Sequence, residues 1–202
     1  MREPALKAIA LGVSTGGVAA LRSLLGALPE SFPVPILIVQ HLGPESEDTM
    51  AGLLDGWSAL RVKEADADEL PLPGTAYLAP ANYHLQVEPD GRLSLSTDPP
   101  VNFARPSVDV LFETAAAAHG PALAGIVLTG AGADGSLGLK RIRQLGGLVI
   151  IQQPLDATCP AMPEAALRAV PPDHLVPLED LPELLLRLTR PDPTPAPECH
   201  VE

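Results

Sequence analysis

The chain predicts an α/β fold: a doubly wound, mainly parallel sheet with helices on both faces, three αβα layers in all, and an added antiparallel β-hairpin. Short continuous apolar runs alternate with stretches whose apolar residues recur at helical spacing, which is the mark of repeated βα units. The runs are apolar along their whole length, as strands buried on both faces require. One middle stretch breaks this rhythm, because it alternates and carries Pro-Asp-Gly between two short halves.

In chain order, "KAIALGV" reads as a strand, "GVSTGG" as a turn, and "VAALRSLLGAL" as a helix with Val18, Leu21, Leu24, Leu25 and Leu28 on one face. "PVPILIVQH" is a second buried strand. "EDTMAGLLDGWSAL" follows as a helix with Met50, Leu53, Leu54, Trp57 and Leu60 on one side. The acidic "KEADADEL", Lys63 to Leu70, reads as a solvated loop. "GTAYLAP" and "YHLQVEPDGRLSLST" alternate and place the hairpin. "RPSVDVLFETAAAAHG" suits a helix with Ser107 as N-cap, "ALAGIVLTG" a buried strand, and "DGSLGLKRIRQLGG" a helix stopped at glycine. "GLVIIQQP", "PEAALRAV", "HLVPL" and "EDLPELLLRLT" continue as strand, helix, strand and helix. Residues 1–190 are therefore expected to form one domain. The remainder, 191–202, carries alternating prolines without an apolar period and reads as a disordered tail.

The 202 residues, 46% hydrophobic and 19% charged, suffice for a good core. Thirteen Lys and Arg against 25 Asp and Glu give a net charge of −12, whose field repels polyanions. Nucleic acid and acidic membrane surfaces are thus excluded as partners. Cys159 and Cys199 form neither a metal-ligand pattern nor a disulfide framework, and the histidines are too dispersed for a metal site, so no metal or cofactor is expected. The N-terminus lacks a signal-peptide pattern and no apolar run is long enough to span a bilayer, so the protein is expected to be soluble and cytoplasmic.

In an open parallel sheet the ligand crevice lies beyond the carboxyl ends of the strands. Polar residues gather there in three places: "GVSTGG", "QH" and "GAGADG". The first fails the dinucleotide pattern, with Ser14 where a glycine is needed, and lacks the lysine of a P-loop. It matches G-x-S-x-G, Gly12 to Gly16, in a strand-turn-helix setting that exposes a serine hydroxyl beside helix-start amides. A plain tight turn, or a phosphate cradle, is equally compatible with the loop taken alone. His41, the first titratable nitrogen after the second strand, suits a general base or a packing role. A single crossover helix joins the first two strands, so they are expected to be neighbours that bring His41 to Ser14. Asp134 suits helix capping, orientation of an imidazole, or both.

Ser14, His41 and Asp134 together form the constellation of a serine hydrolase, with Ser14 as nucleophile, His41 as base and then acid, and Asp134 fixing the imidazole. Backbone amides at Thr15, Gly16, Ala131 and Gly132 are the candidates to hold the oxyanion and the substrate carbonyl. A noncatalytic phosphate- or nucleotide-binding module built on Gly12 to Gly17 is the alternative.

The segments "GVSTGGVAALRSLL", "IVQH", "LPGTAYLAPANYHL", "PPVNFARPSVDVLF", "GIVLTGAGADGSLGL" and "AMPEAAL", in that order from about Ala8 to Leu188, resemble the CheB-type receptor methylesterases of bacterial chemotaxis. The resemblance implies a Rossmann-like αβα fold with an added hairpin. It also implies a catalytic serine, histidine and aspartate at Ser14, His41 and Asp134, and hydrolysis of γ-glutamyl methyl esters on chemoreceptor helices with release of methanol, alongside deamidation of receptor glutamines. Two departures stand out. Ala131 replaces the family's usual methionine, and Ala104 precedes Arg105 where the family often reads N-x-H-R-P. Only 13 residues precede Ser14, too few for the receiver domain that family members usually carry, so three alternatives stand: constitutive activity, regulation by a separate receiver or other regulatory protein, or a chain that is part of a longer one.

Overall fold

A computed structural model describes residues 5–41 and 50–189. The tail expected at 191–202, with Cys199 and His200, lies outside the described residues, as does the start of the second helix at 47–49. The strands are β1 (Ala8–Val13), β2 (Ile36–Gln40), β3 (Arg61–Glu64), β4 (Thr75–Leu78), β5 (His84–Val87), β6 (Leu93–Ser96), β7 (Leu123–Val127), β8 (Leu148–Gln152) and β9 (His174–Val176). The helices are α1 (Gly17–Gly26), α2 (Met50–Asp55), α3 (Val108–His119), α4 (Ser136–Gln144), α5 (Ala161–Ala169) and α6 (Leu181–Leu188).

Seven strands make one parallel sheet in the order β3-β4-β2-β1-β7-β8-β9, and β5 and β6 pair antiparallel beside it. The strand order reverses at β1, which has β2 on one side and β7 on the other. This is the switch point where crevices open in doubly wound sheets. Every residue of β1, β2 and β7 is buried, so both faces of these strands must be covered. On β1, Ile9, Leu11 and Val13 join the apolar layer under α1, α2 and α6, while Ala8 and Ala10 join the layer under α3, α4 and α5. The second face carries small residues for a reason. A Cβ on Gly12 would lie 2.3 Å from Val108 Cγ1, and one on Gly138 would lie 2.4 Å from Phe112 Cβ. Glycine at these two positions lets α3 seat closely on the sheet and on α4, which sets the N-terminus of α3 at the sheet's carboxyl end.

Several expectations are corrected. "GTAYLAP" enters the parallel sheet as β4, between β3 and β2, and takes no part in the hairpin. The solvated loop expected from Lys63 begins as edge strand β3; beyond it Lys63 Nζ donates to Asp66 Oδ2 at 2.7 Å and Glu69 Oε2 at 2.8 Å. Opposite charges beside an edge strand explain a strand without apolar period. The helical stripes are narrower than expected: Val18, Leu53 and Trp57 are exposed, with the Arg22 guanidinium stacked 4.8 Å from the Trp57 ring centroid. Leu60 is buried but lies beyond the end of α2. Among the described residues no helix is long and apolar enough to cross a membrane.

Candidate active site

Three adjacent strands, β2, β1 and β7, end at one crevice. Ser14 follows β1 directly, and its N–H donates to Thr129 O, just past β7, at 3.0 Å. His41 follows β2, and its N–H donates to Val13 O at 3.1 Å, which seats the imidazole-bearing residue beside the serine-bearing turn. Gln40, buried behind them, spans both turns with one amide nitrogen: Nε2 donates to Ser14 O at 3.1 Å and to His41 O at 2.9 Å. Gly17 must lack a side chain here, since its Cβ would come within 1.9 Å of Gln40 Oε1.

Asp134 completes the approach from the loop after β7. His41 Nε2 donates to its Oδ2 at 2.8 Å, leaving Nδ1 as the ring nitrogen without a partner among the described residues. The carboxylate is held from every side. Val108 N donates to Oδ2 at 2.7 Å; Asn102 Nδ2 (2.8 Å), Ser107 Oγ (2.9 Å), Asp109 N (3.1 Å) and Gly135 N (3.1 Å) donate to Oδ1. Burial pushes this carboxyl up, yet the donors from His41, Asn102, Val108 and Asp109 outweigh it and hold the group below the ordinary carboxylate range. An anion kept ionised against an imidazole nitrogen fixes the tautomer and favours the imidazolium.

The capping expected of Asp134 exists, but on another helix. It accepts from the first two amides of α3, where Ser107 is the N-cap without a side-chain cap of its own. Asp109 returns the favour: its Oδ1 accepts Gly138 N, in the first turn of α4, at 2.7 Å. Two helix N-termini thus exchange carboxylates, with the favourable dipole interaction at each. Burial, then the charge of Asp134, pushes the Asp109 carboxyl above its usual range, against the donors Gly138 N and Asn102.

A cavity of about 650 Å³ opens over this group, lined by His41, Asn102, Phe103, Arg105, Ala131 and Asp134 among others. Thr15, Ala131 and Gly132 are exposed and Gly16 is half-buried. None of their four N–H groups meets an acceptor among the described residues. Gly130 lets its loop approach the serine, because a Cβ there would meet Met162 Sδ at 2.1 Å and Ser14 Cβ at 2.8 Å. Thr129 Oγ1 ties this loop to the first, donating to Thr15 O at 2.8 Å.

Gln40, Asn102, Asp109 and Thr129 were not expected from the sequence. Gln40 stands directly before His41 at a strand end, and Asn102 tolerates left-handed backbone, but neither carries a titratable group to mark it. His84 is structural: buried, its Nδ1 accepts from Ser107 N at 3.2 Å and its Nε2 is 3.2 Å from Pro99 O. Burial, and then the charge of Lys7, lowers the pKa of His119 at the far end of α3. Among the described residues no group of three or more His, Cys, Asp or Glu is placed to hold a metal ion.

Residues 9–185 match the family pattern described as CheB methylesterase. A protein of Leptospira interrogans that carries the name protein-glutamate methylesterase/protein-glutamine glutaminase provisionally is 44% identical over 182 residues, covering 90% of this chain and 94% of that one. A protein of Moorella thermoacetica with the same name is 40% identical over 191 residues, covering 93% of this chain but 45% of its own length. The crystal structure of the Thermotoga maritima CheB methylesterase catalytic domain superposes with a TM-score of 0.86 at 33% identity, covering 92% of this chain and all of that one.

Proposed function

This chain belongs to the CheB methylesterase family, and we propose that it is a serine hydrolase that removes methyl groups from γ-glutamyl methyl esters of chemoreceptors. The observation that supports this most is the bond from His41 Nε2 to Asp134, a carboxylate that accepts from six donors, at the strand end next to Ser14. His41 Nδ1 takes the Ser14 proton as Oγ attacks the ester carbonyl carbon. The tetrahedral oxyanion meets amides offered by Thr15, Gly16, Ala131 and Gly132, each donor worth roughly 3 to 4 kcal/mol of barrier. The intermediate collapses, and the imidazolium gives its proton to the departing methoxide, releasing methanol and leaving an acyl-serine. Water, deprotonated by the same nitrogen, then frees the glutamate carboxylate and Ser14. The primary amide of a receptor glutamine passes through the same steps with ammonia as leaving group.

No step calls for a cofactor. The partner is a chemoreceptor cytoplasmic helix, with the cytoplasm as the place of action. The phosphate-cradle alternative is disfavoured by charge, since the buried carboxylate of Asp134 lines the cavity at these strand ends. Methanol release from methylated receptor fragments tests the proposal: the Ser14→Ala variant should be inactive, and equal release by both proteins would sink it.

A further inference from the structure

We propose that Asn102 is a positioning residue for Asp134, and that the turn it belongs to couples the mouth of the cavity to the His41–Asp134 pair. This rests on the esterase reading above. Val101 and Ala104 exchange both backbone hydrogen bonds, Val101 N to Ala104 O at 3.1 Å and Ala104 N to Val101 O at 2.9 Å. The two residues between them are left-handed, Asn102 at φ 52 and Phe103 at φ 63, which is the tight turn glycine and asparagine favour and phenylalanine does not. Phe103 is wholly exposed at the lip of the cavity. Its backbone completes the turn, while its ring packs on nothing and stands where a substrate would meet it.

The asparagine beside it is an exposed residue whose amide reaches in to the carboxylates. One nitrogen, Nδ2, is 2.8 Å from Asp134 Oδ1 and 2.8 Å from Asp109 Oδ2, so its two hydrogens go to two buried carboxylates. Asn102 is neutral, and that matters. A lysine or arginine at this place would cancel the charge of Asp134 and weaken its hold on the imidazolium, whereas an amide fixes the plane of the carboxylate and leaves the charge to His41. It also donates to both Asp134 and Asp109 and so offsets the repulsion between these two like charges. Burial and that mutual repulsion push Asp109 up, and Asn102 offsets part of the rise.

Two substitutions separate this role from simple turn formation. Glycine and aspartate both accept left-handed backbone, so a residue needed only for the turn would be replaceable by either. N102G removes the amide alone; kcat on methylated receptor fragments should fall about tenfold, with less change in KM. N102D sets a third carboxyl between the other two, and its kcat should fall further as pH rises and the cluster loses its shared proton, so that the N102D/N102G ratio declines with pH. Circular dichroism and thermal melts confirm folding, and if N102G fails to fold, the pH dependence of N102D decides alone. Wild-type kcat in both variants, or a loss in N102D that does not vary with pH, overturns the proposal. Ser14→Ala assayed in parallel reads the esterase reading separately, because its retained activity would sink that reading whatever the Asn102 variants do.

Discussion

Replacing Asp134 with asparagine keeps the shape of this group and removes its charge. Oδ2 accepts from His41 Nε2 and Val108 N, while Oδ1 accepts from Asn102, Ser107, Asp109 and Gly135. An amide of the same shape has one acceptor end and one NH₂ end. With NH₂ at the Oδ1 end it would confront four donors, and at the Oδ2 end only two, so the second orientation wins. There the N–H of Val108 loses its acceptor, and His41 Nε2 must accept instead of donate. The ring proton then sits on Nδ1, the nitrogen that has to receive the proton of Ser14. A wrong tautomer of this kind costs about 10⁴-fold in kcat, which is ~5 kcal/mol of transition-state stabilisation. One orphaned buried N–H costs about 1–3 kcal/mol of fold stability. Methanol release and thermal unfolding on the same Asp134→Asn sample read the two effects apart. A kcat within tenfold of wild type would refute the assignment of Asp134 as the group that sets the imidazole tautomer.

Three other outcomes are expected. Gly130→Ala drives a methyl into Met162 and Ser14, so unfolding stability should drop by about 1–3 kcal/mol with activity impaired; an unchanged melt would show that the loop can yield. Phe103→Ala should leave stability within about 0.5 kcal/mol, as the ring is wholly exposed, and should raise KM for receptor fragments more than for a small ester; equal effects on the two substrates would remove Phe103 from receptor contact. The folded pKa of Asp134 lies below its unfolded value, so its stabilisation is present above about pH 4 and is lost as pH falls through the folded value. The melting difference between wild type and Asp134→Asn should therefore shrink in acid, and a gap that widens would contradict a lowered pKa for Asp134.

The sequence is most legible where a buried strand ends in a chemically marked residue. Ser14 and His41 could be paired because one crossover helix between two apolar runs makes them neighbours, and β1 and β2 do lie side by side. β3 leaves no trace in the sequence because an edge strand of Arg61, Val62, Lys63 and Glu64 buries too little to show a period. β4 is indistinguishable from a hairpin strand in sequence because its four residues alternate no differently from those of β5. Asp134 was readable as a cap, but a cap on α3 depends on glycines at 12 and 138 admitting that helix, a three-dimensional fact with no local trace. Asn102 and Gln40 act through neutral amides across 32 and 26 residues of chain, so nothing near them in sequence points to Asp134 or Ser14.

The most direct test of the central claim is the intact mass after exposure to a fluorophosphonate, followed by peptide mapping. With Ser14 as nucleophile activated by His41 and Asp134, wild type gains one phosphonyl group on the peptide containing Ser14, His41→Ala labels far more slowly, and Ser14→Ala gains none. Wild-type labelling of Ser14→Ala, or a label mapped to another residue, would contradict it.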